Sequence, residues 1–324
     1  MALKHNTSIF KYLIARDAKP QQGLYTWEWA AMIYLIATTV YTALCYKQLS
    51  DPTHMLLLRA KILTVTIALW GLYRIYPAPF TILFRATAQL FFLSWWYPDT
   101  YQLNNIRPNL DHIFAEIEQD TFHCQPAHLF SNIIDNPVFS EIMYLAYAVY
   151  FPVIAITALY YFFYRKQHFN KTLTIILAAF FIYYVIFIFI PVTGPQYYYL
   201  AIGEEKLTNA IFPNLNDYFH THQQRMTAPG YQGFFYHIVE AAHQTGEKPT
   251  AAFPSSHIGI TTILTILAFN TKNKPLIYIV TISLILMTFA TVYIKAHYAI
   301  DVIAGYISAI IIYIILQQTL KIKT

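Results

Sequence analysis

Charge is what this 324-residue chain has least of: only 11% of its residues are Asp, Glu, Lys or Arg. A soluble domain carries about 25%, so an ordinary soluble globular protein is excluded and no nucleic-acid partner is expected. Cysteine is almost missing. Cys45 and Cys124 are the only two, and Cys45 falls in an apolar run, so a disulfide framework is not expected. There is no internal repeat and no low-complexity tract. A convincing cleavable signal is also lacking, because the first apolar run begins only near Tyr25 and no small-residue cleavage site follows it. What is present is apolar and aromatic side chain, 57% and 18% of the chain respectively. That composition predicts an integral, multi-pass membrane protein.

A spanning helix needs about 20 mostly apolar residues. Segments near 26–46, 55–76, 79–97, 138–163, 172–192, 255–269, 275–294 and 298–319 meet or approach this, which predicts an all-α polytopic bundle of about eight spans. The third carries Arg85 and Gln89 and is expected to lie partly in the interface. Pro77 and Pro79 separate the second span from the third, and Pro152 is expected to kink the fourth. Trp95-Trp96-Tyr97 and Trp27/Trp29 read as interfacial belts. The chain divides into amino-terminal membrane segments (1–97), an outer loop with a surface helix (98–137) and a catalytic membrane core (138–324).

Cations set the orientation. Arg165, Lys166 and Lys171, then Lys272 and Lys274, then Lys321 and Lys323 occupy three inter-span or tail stretches that contain no Asp or Glu. Lys4, Lys11, Arg16 and Lys19 precede the first span. Eight crossings put all of these on one side, with both termini cytoplasmic. Arg59 and Lys61 run against this rule. Residues 98–137, 193–254 and 294–298 then face the extracytoplasmic side.

Two short segments on that side carry the chemistry, Phe253-Pro254-Ser255-Ser256-His257 and His297-Tyr298-Ala299-Ile300-Asp301. The histidines are 40 positions apart, enough for one crossing, a turn and a return, so both reach one membrane face. His297 and Asp301, at i and i+4, stack on one helix face. A carboxylate there can take the hydrogen of one ring nitrogen and leave the other nucleophilic, although a purely structural hydrogen bond satisfies the same spacing. An intramembrane Asp is costly enough that a functional role is the default reading. Ser255 or Ser256 can cap a helix whose first amides favour an anion, above all phosphate. His257 in that first turn can hand a proton to a leaving alkoxide. A plain serine cap beside an interfacial histidine is the simpler alternative.

These residues resemble a known family. Phe253-Pro-Ser-Ser-His257 and Tyr293-Ile-Lys-Ala-His297-Tyr-Ala-Ile-Asp301-Val-Ile-Ala-Gly305 are similar to the second and third signature motifs of the type-2 phosphatidic-acid phosphatase superfamily. Pro191-Val-Thr-Gly194-Pro195 resembles the first-motif region in the branch containing inositol-phosphorylceramide synthases. The likeness spans roughly residues 138–310. It implies a six-helix phosphatase-like core with His297 as nucleophile forming a phosphohistidine, Asp301 orienting it and His257 protonating the leaving group. It also implies no metal and no cofactor.

Some of the family pattern is missing. Gln196 follows Gly194-Pro195 where an arginine is common, and Thr291 stands six residues before His297, where another is usual. Transferring phosphoryl groups need positive charge around them. Lys295 and Arg225 are the candidates to supply it, beside phosphate-binding Ser255, Ser256, Gly194, Pro195 and Gln196. Arg107-Pro108 imitates part of a first motif, but Thr100 stands where a lysine belongs, so it reads as a helix-breaking loop.

Elsewhere on the outer side, Tyr197-Tyr198-Tyr199, Tyr218-Phe219, Tyr231 and Phe234-Phe235-Tyr236 suggest aromatic belt packing, or a lid over a head group. Residues Phe234–His243 suggest a short amphipathic helix on the membrane. His220, His222, His237 and His243 fit no zinc spacing and read as solvated surface. Asp111, Glu116, Glu118 and Asp120 suggest a surface helix without a catalytic part.

The expectation is a lipid phosphatase of a bacterial inner membrane. It would hydrolyse a phosphomonoester or diphosphate on the extracytoplasmic face, with the bilayer and a lipid phosphate as its partners. A phosphotransferase of the inositol-phosphorylceramide synthase type is the nearest alternative. A non-enzymatic lipid transporter is the other, although no inverted repeat supports it.

Overall fold

The computed structural model describes residues 8–226, 232–246 and 248–321; Lys4, Tyr231 and Lys323 lie outside them. Among the described residues every long element is a helix. The amino-terminal part contains α1 (Ile9–Ile14), α2 (Thr26–Leu44), α3 (Pro52–Ile75) and α4 (Pro79–Asn104). Two short helices follow, α5 (Asp111–Phe122) and α6 (Pro126–Ile133), and then α7 (Pro137–Ala148), α8 (Tyr150–Tyr164) and α9 (Lys166–Phe189). The next long segment holds α10 (Pro195–Ile202), α11 (Glu204–Thr208) and α12 (Phe234–Gly246). The chain ends with α13 (Ser256–Thr271), α14 (Lys274–Tyr293) and α15 (Ala299–Lys321).

Each expected span corresponds to one helix or one helix pair. By length and apolarity together, α3, α9, α14 and α15 can cross a membrane, and the bent pair α7–α8 makes a fifth. The pair bends by 43° at Val149, three residues before Pro152. A proline ring collides with the carbonyl four residues back, here that of Ala148, the last residue of α7. Starts are written locally. Asp51 caps α3 by accepting from the His54 amide at 3.1 Å, and Asn136 caps α7 through the Val138 and Phe139 amides. Asn273 caps α14 through Leu276 at 3.0 Å, with proline in the first turn of all three helices.

Helix α9 is the central post. It is 72% buried along its apolar stretch, against 22% for α3 and 28% for α15. Helices α2, α4, α8, α13 and α15 all pack on it, so the amino-terminal helices share its core. The charges that weaken the third span lie inside the bundle. Arg85 Nε donates to Glu28 Oε1 at 2.7 Å, with Arg85 Cζ 4.6 Å from the Tyr25 ring centre and 4.9 Å from that of Tyr73. Gln89 reaches Thr66 at 2.9 Å. Arg59 forms a two-pronged pair with Asp99 at 3.0 and 2.7 Å. One face of α4 is thus buried and held to α2 and α3 by ion pairs, while Phe84, Phe91 and Trp95 on the same helix are exposed. The belt reading is corrected for two of the tryptophans. Trp29 and Trp95 are exposed, whereas Trp27 and Trp96 are core.

Candidate active site

Four segments converge at one end of the bundle: the Pro191–Gly194 turn, the start of α13, the Ile294–Tyr298 loop and the start of α15. Ser255 caps α13, its Oγ accepting from the Ile258 amide at 3.4 Å. Its own amide donates to the Asp301 carbonyl at 3.0 Å, which ties the two histidine segments together. Gly305 permits this approach, since a Cβ there would lie 2.8 Å from the Ser255 carbonyl oxygen. Likewise Gly194, at φ +94°, passes so near the 294–298 loop that a Cβ would meet the Ala296 oxygen at 2.7 Å.

The histidines meet. His297 Nε2 lies 3.3 Å from His257 Nδ1. His297 Nδ1 is 2.8 Å from the Ala252 carbonyl oxygen, which can only accept, so this nitrogen carries the hydrogen. The neutral ring then turns the Nε2 lone pair toward His257. Asp301 Oδ2 lies 3.5 Å from Nδ1 and accepts from the Tyr298 amide at 2.9 Å. The expected contact is thereby corrected: the closer acceptor of the ring hydrogen is the Ala252 carbonyl, with the carboxylate just beyond it. The His257 ring lies against two tyrosines, 4.6 Å from Tyr147 and 4.4 Å from Tyr150. Asp301 is fully buried and His297 nearly so.

Helix α5 is the part that sequence reasoning misjudged. Glu116 and Asp120 are exposed, but Asp111 and Glu118 are fully buried. Asp111 accepts from the Thr193 amide at 2.7 Å, the Thr193 hydroxyl at 2.9 Å and the Gly194 amide at 2.8 Å. It also accepts from Asn109 Nδ2 at 2.5 Å and from the Tyr298 hydroxyl at 3.1 Å. One carboxylate thus joins the first-motif turn to the loop that carries His297. Burial pushes its carboxyl upward, against the pull of these donors. Glu118 accepts from the Ala299 and Ile300 amides, both at 3.0 Å, and so caps α15 from outside the helix. A signal was available: Asp111, Ala115 and Glu118 fall at i, i+4 and i+7, one face of α5.

Burial also pushes the Glu118 carboxyl up to about 7, with Asp301 adding repulsion and the two amides opposing. A folded carboxyl raised from 4.5 holds its proton more tightly than the unfolded chain does. Its stabilising contribution is complete below the unfolded value and is lost as pH rises toward about 7. Thermal unfolding across this range is expected to show a falling midpoint in wild type and a flatter profile in Glu118→Gln. Equal slopes would remove Glu118 as the cause.

Other expected site residues are distributed unevenly. The amides of Thr193 and Gly194 are taken by Asp111, and that of Gln196 donates to the Lys295 carbonyl at 2.8 Å. Gly194 and Pro195 therefore shape the turn, and the expected cradle of turn amides is not formed there. Lys295 is buried, and its ammonium donates to Ser131 on α6, with no ion pair among the described residues. Burial lowers it to about 8. Arg225 reaches Gln196 Oε1 at 3.5 Å and Glu240 Oε1 at 2.5 Å. Ser256 and His257 lie in the first turn of α13, where amides have no intrahelical partner.

Tyr197, Tyr198 and Tyr199 are core residues and form no belt, while Phe234–His243 does form a helix, within α12. His243, expected on the solvated surface, packs beside Tyr147 at 5.9 Å and lies 4.0 Å from Glu240.

Fold and site define a class: a multi-pass helical membrane protein with an imidazole pair and a buried carboxylate at one end of its bundle. The chain belongs to the PAP2 superfamily, whose model matches residues 112–315. Its members are phosphatases and phosphotransferases, which supports an enzyme acting on phosphoesters, of lipid phosphatase type. The match is to the superfamily and does not single out the inositol-phosphorylceramide synthase branch. No curated protein and no solved structure matches the chain.

Proposed function

We propose that this protein hydrolyses a lipid phosphomonoester or diphosphate through a phosphohistidine on His297, at the extracytoplasmic face of the membrane. The observation that carries the reading is the pair of nitrogens 3.3 Å apart, His297 Nε2 and His257 Nδ1, with the far side of the His297 ring fixed by Ala252. A substrate phosphate replaces this direct contact and lies between the rings. His297 Nε2 then attacks phosphorus. The P–N bond forms as the bond to the lipid oxygen breaks, and a protonated His257 gives its proton to that oxygen. Neutral His257 next takes a proton from water as the water attacks phosphorus, which breaks the P–N bond. The nearby phosphate charge favours the imidazolium that the first step needs. Asp301 balances the positive charge that builds on His297.

For the equatorial oxygens, the first-turn amides of α13 with Ser255 and Ser256, the Gln196 side chain and Arg225 form the cradle, with Lys295 adding positive charge behind the His297 loop. Gly194 and Pro195 set the shape of that cradle's far wall.

Purified protein incubated with phosphatidic acid, an isoprenoid diphosphate or a phosphosphingoid lipid is expected to release inorganic phosphate from at least one of them. A new phosphodiester appearing only when inositol or ceramide is added would overturn hydrolysis in favour of headgroup transfer.

A further inference from the structure

At the opposite end of α13 lies a second polar site. From His257 to Thr271 the helix rises about 21 Å at about 1.5 Å per residue. There a cavity of about 220 Å³ opens between the ends of α8, α9, α13 and α15. Its polar lining includes Arg165, His168, Lys171, Asn270, Thr271 and Gln317, and no carboxylate contributes among the described residues. Arg165 Nη2 donates to the Thr271 carbonyl at 2.8 Å, which fixes its guanidinium at the rim. None of Arg165, His168 and Lys171 has an acidic partner among the described residues. Lys166, by contrast, is taken by Asp17 at 3.2 Å. Tyr164, Phe269 and Ile314, which neighbour lining residues Arg165, Asn270 and Gln317 along their helices, are exposed apolar side chains, as expected of a surface that faces acyl chains.

We infer that this cavity binds the phosphate of an anionic phospholipid headgroup, with the acyl chains lying along the exposed apolar face of α15, where Ile307, Ile310, Ile311 and Ile314 are all exposed. The charge chemistry selects an anion, and the amide and hydroxyl groups beside it suit a phosphodiester with a polar headgroup. The volume is below the ~300 Å³ of the smallest typical small-molecule pockets, so a headgroup enters and the lipid tails do not. The flanking apolar surface argues for a lipid over dissolved phosphate. This site shares no residue with the histidine pair and stands or falls independently of the hydrolysis reading.

The test uses full-length protein carrying His297→Ala, so that turnover cannot consume the probe. It is reconstituted in phosphatidylcholine nanodiscs with or without phosphatidylglycerol, and thermal unfolding is followed. Phosphatidylglycerol is expected to raise the unfolding temperature. Lys171→Gln is expected to raise about fivefold the phosphatidylglycerol fraction needed for a half-maximal shift, in line with about 1 kcal/mol per cation near a lipid surface, while Lys171→Arg retains the response. His168→Gln, which alters the ring donors at the cavity, is expected to weaken the response further in the double variant. Both glutamine variants alter partly or fully exposed side chains, and unchanged unfolding in pure phosphatidylcholine checks their fold. An undiminished phosphatidylglycerol response in the double glutamine variant would overturn the site. An equal shift from inorganic phosphate in pure phosphatidylcholine would overturn the lipid as its ligand.

Discussion

Replacing His297 with alanine is expected to lower phosphate release by about 10⁴-fold or more, because it removes the proposed nucleophile. Acid-quenched wild-type protein given a phosphorus-labelled lipid should retain label that is stable to base, as a phosphoramidate is. The alanine variant should retain none. Its partner is expected to behave differently. His257→Ala should reduce turnover by about 10²–10⁴-fold while leaving lipid binding largely intact, since the ring stacks on Tyr147 and Tyr150 and does not build the α13 cap. Wild-type turnover in either variant would remove that residue from the mechanism.

Asp111→Ala is expected to cause the largest loss of stability of any single substitution near the site, about 3–5 kcal/mol. The deletion leaves the Thr193 and Gly194 amides and the Tyr298 hydroxyl buried without their shared acceptor, and each such group costs about 1–3 kcal/mol. Asp111→Asn keeps one carbonyl oxygen and should fall between alanine and wild type. Because the same carboxylate holds the His297 loop against the first-motif turn, turnover should fall with it. Denaturation in detergent micelles, followed by helical circular dichroism, provides the check. An unshifted midpoint for Asp111→Ala would show that the clamp contributes nothing.

The two predictions also mark where sequence reading succeeds and fails. The meeting of His257, His297 and Asp301 is legible because an out-and-back passage of α13 and α14 returns them to one end. Helix positions are legible through apolar length and through Asp51, Asn136, Asn273 and the prolines after them. Asp111 and Glu118 were not, because their partners are backbone amides 82 and 181 positions away, and an amide has no letter in the sequence. The charges of the third span are opaque for a related reason. Arg85 looks like a liability until Glu28, 57 positions earlier, is seen to face it. Lys295 shows the converse limit: closeness to His297 in sequence did not aim its ammonium there, since a left-handed residue at φ 64° turns the chain and sends the side chain to Ser131.

The clamp by α5 also bears on biosynthesis. Asp111 emerges from the ribosome long before Thr193 and Tyr298, and Glu118 waits for α15, which starts 181 positions later. Until α15 has been inserted, Glu118 lacks the Ala299 and Ile300 amides that it accepts from. A premature stop before residue 299 therefore leaves Glu118 without these partners and the His297 loop without Asp301.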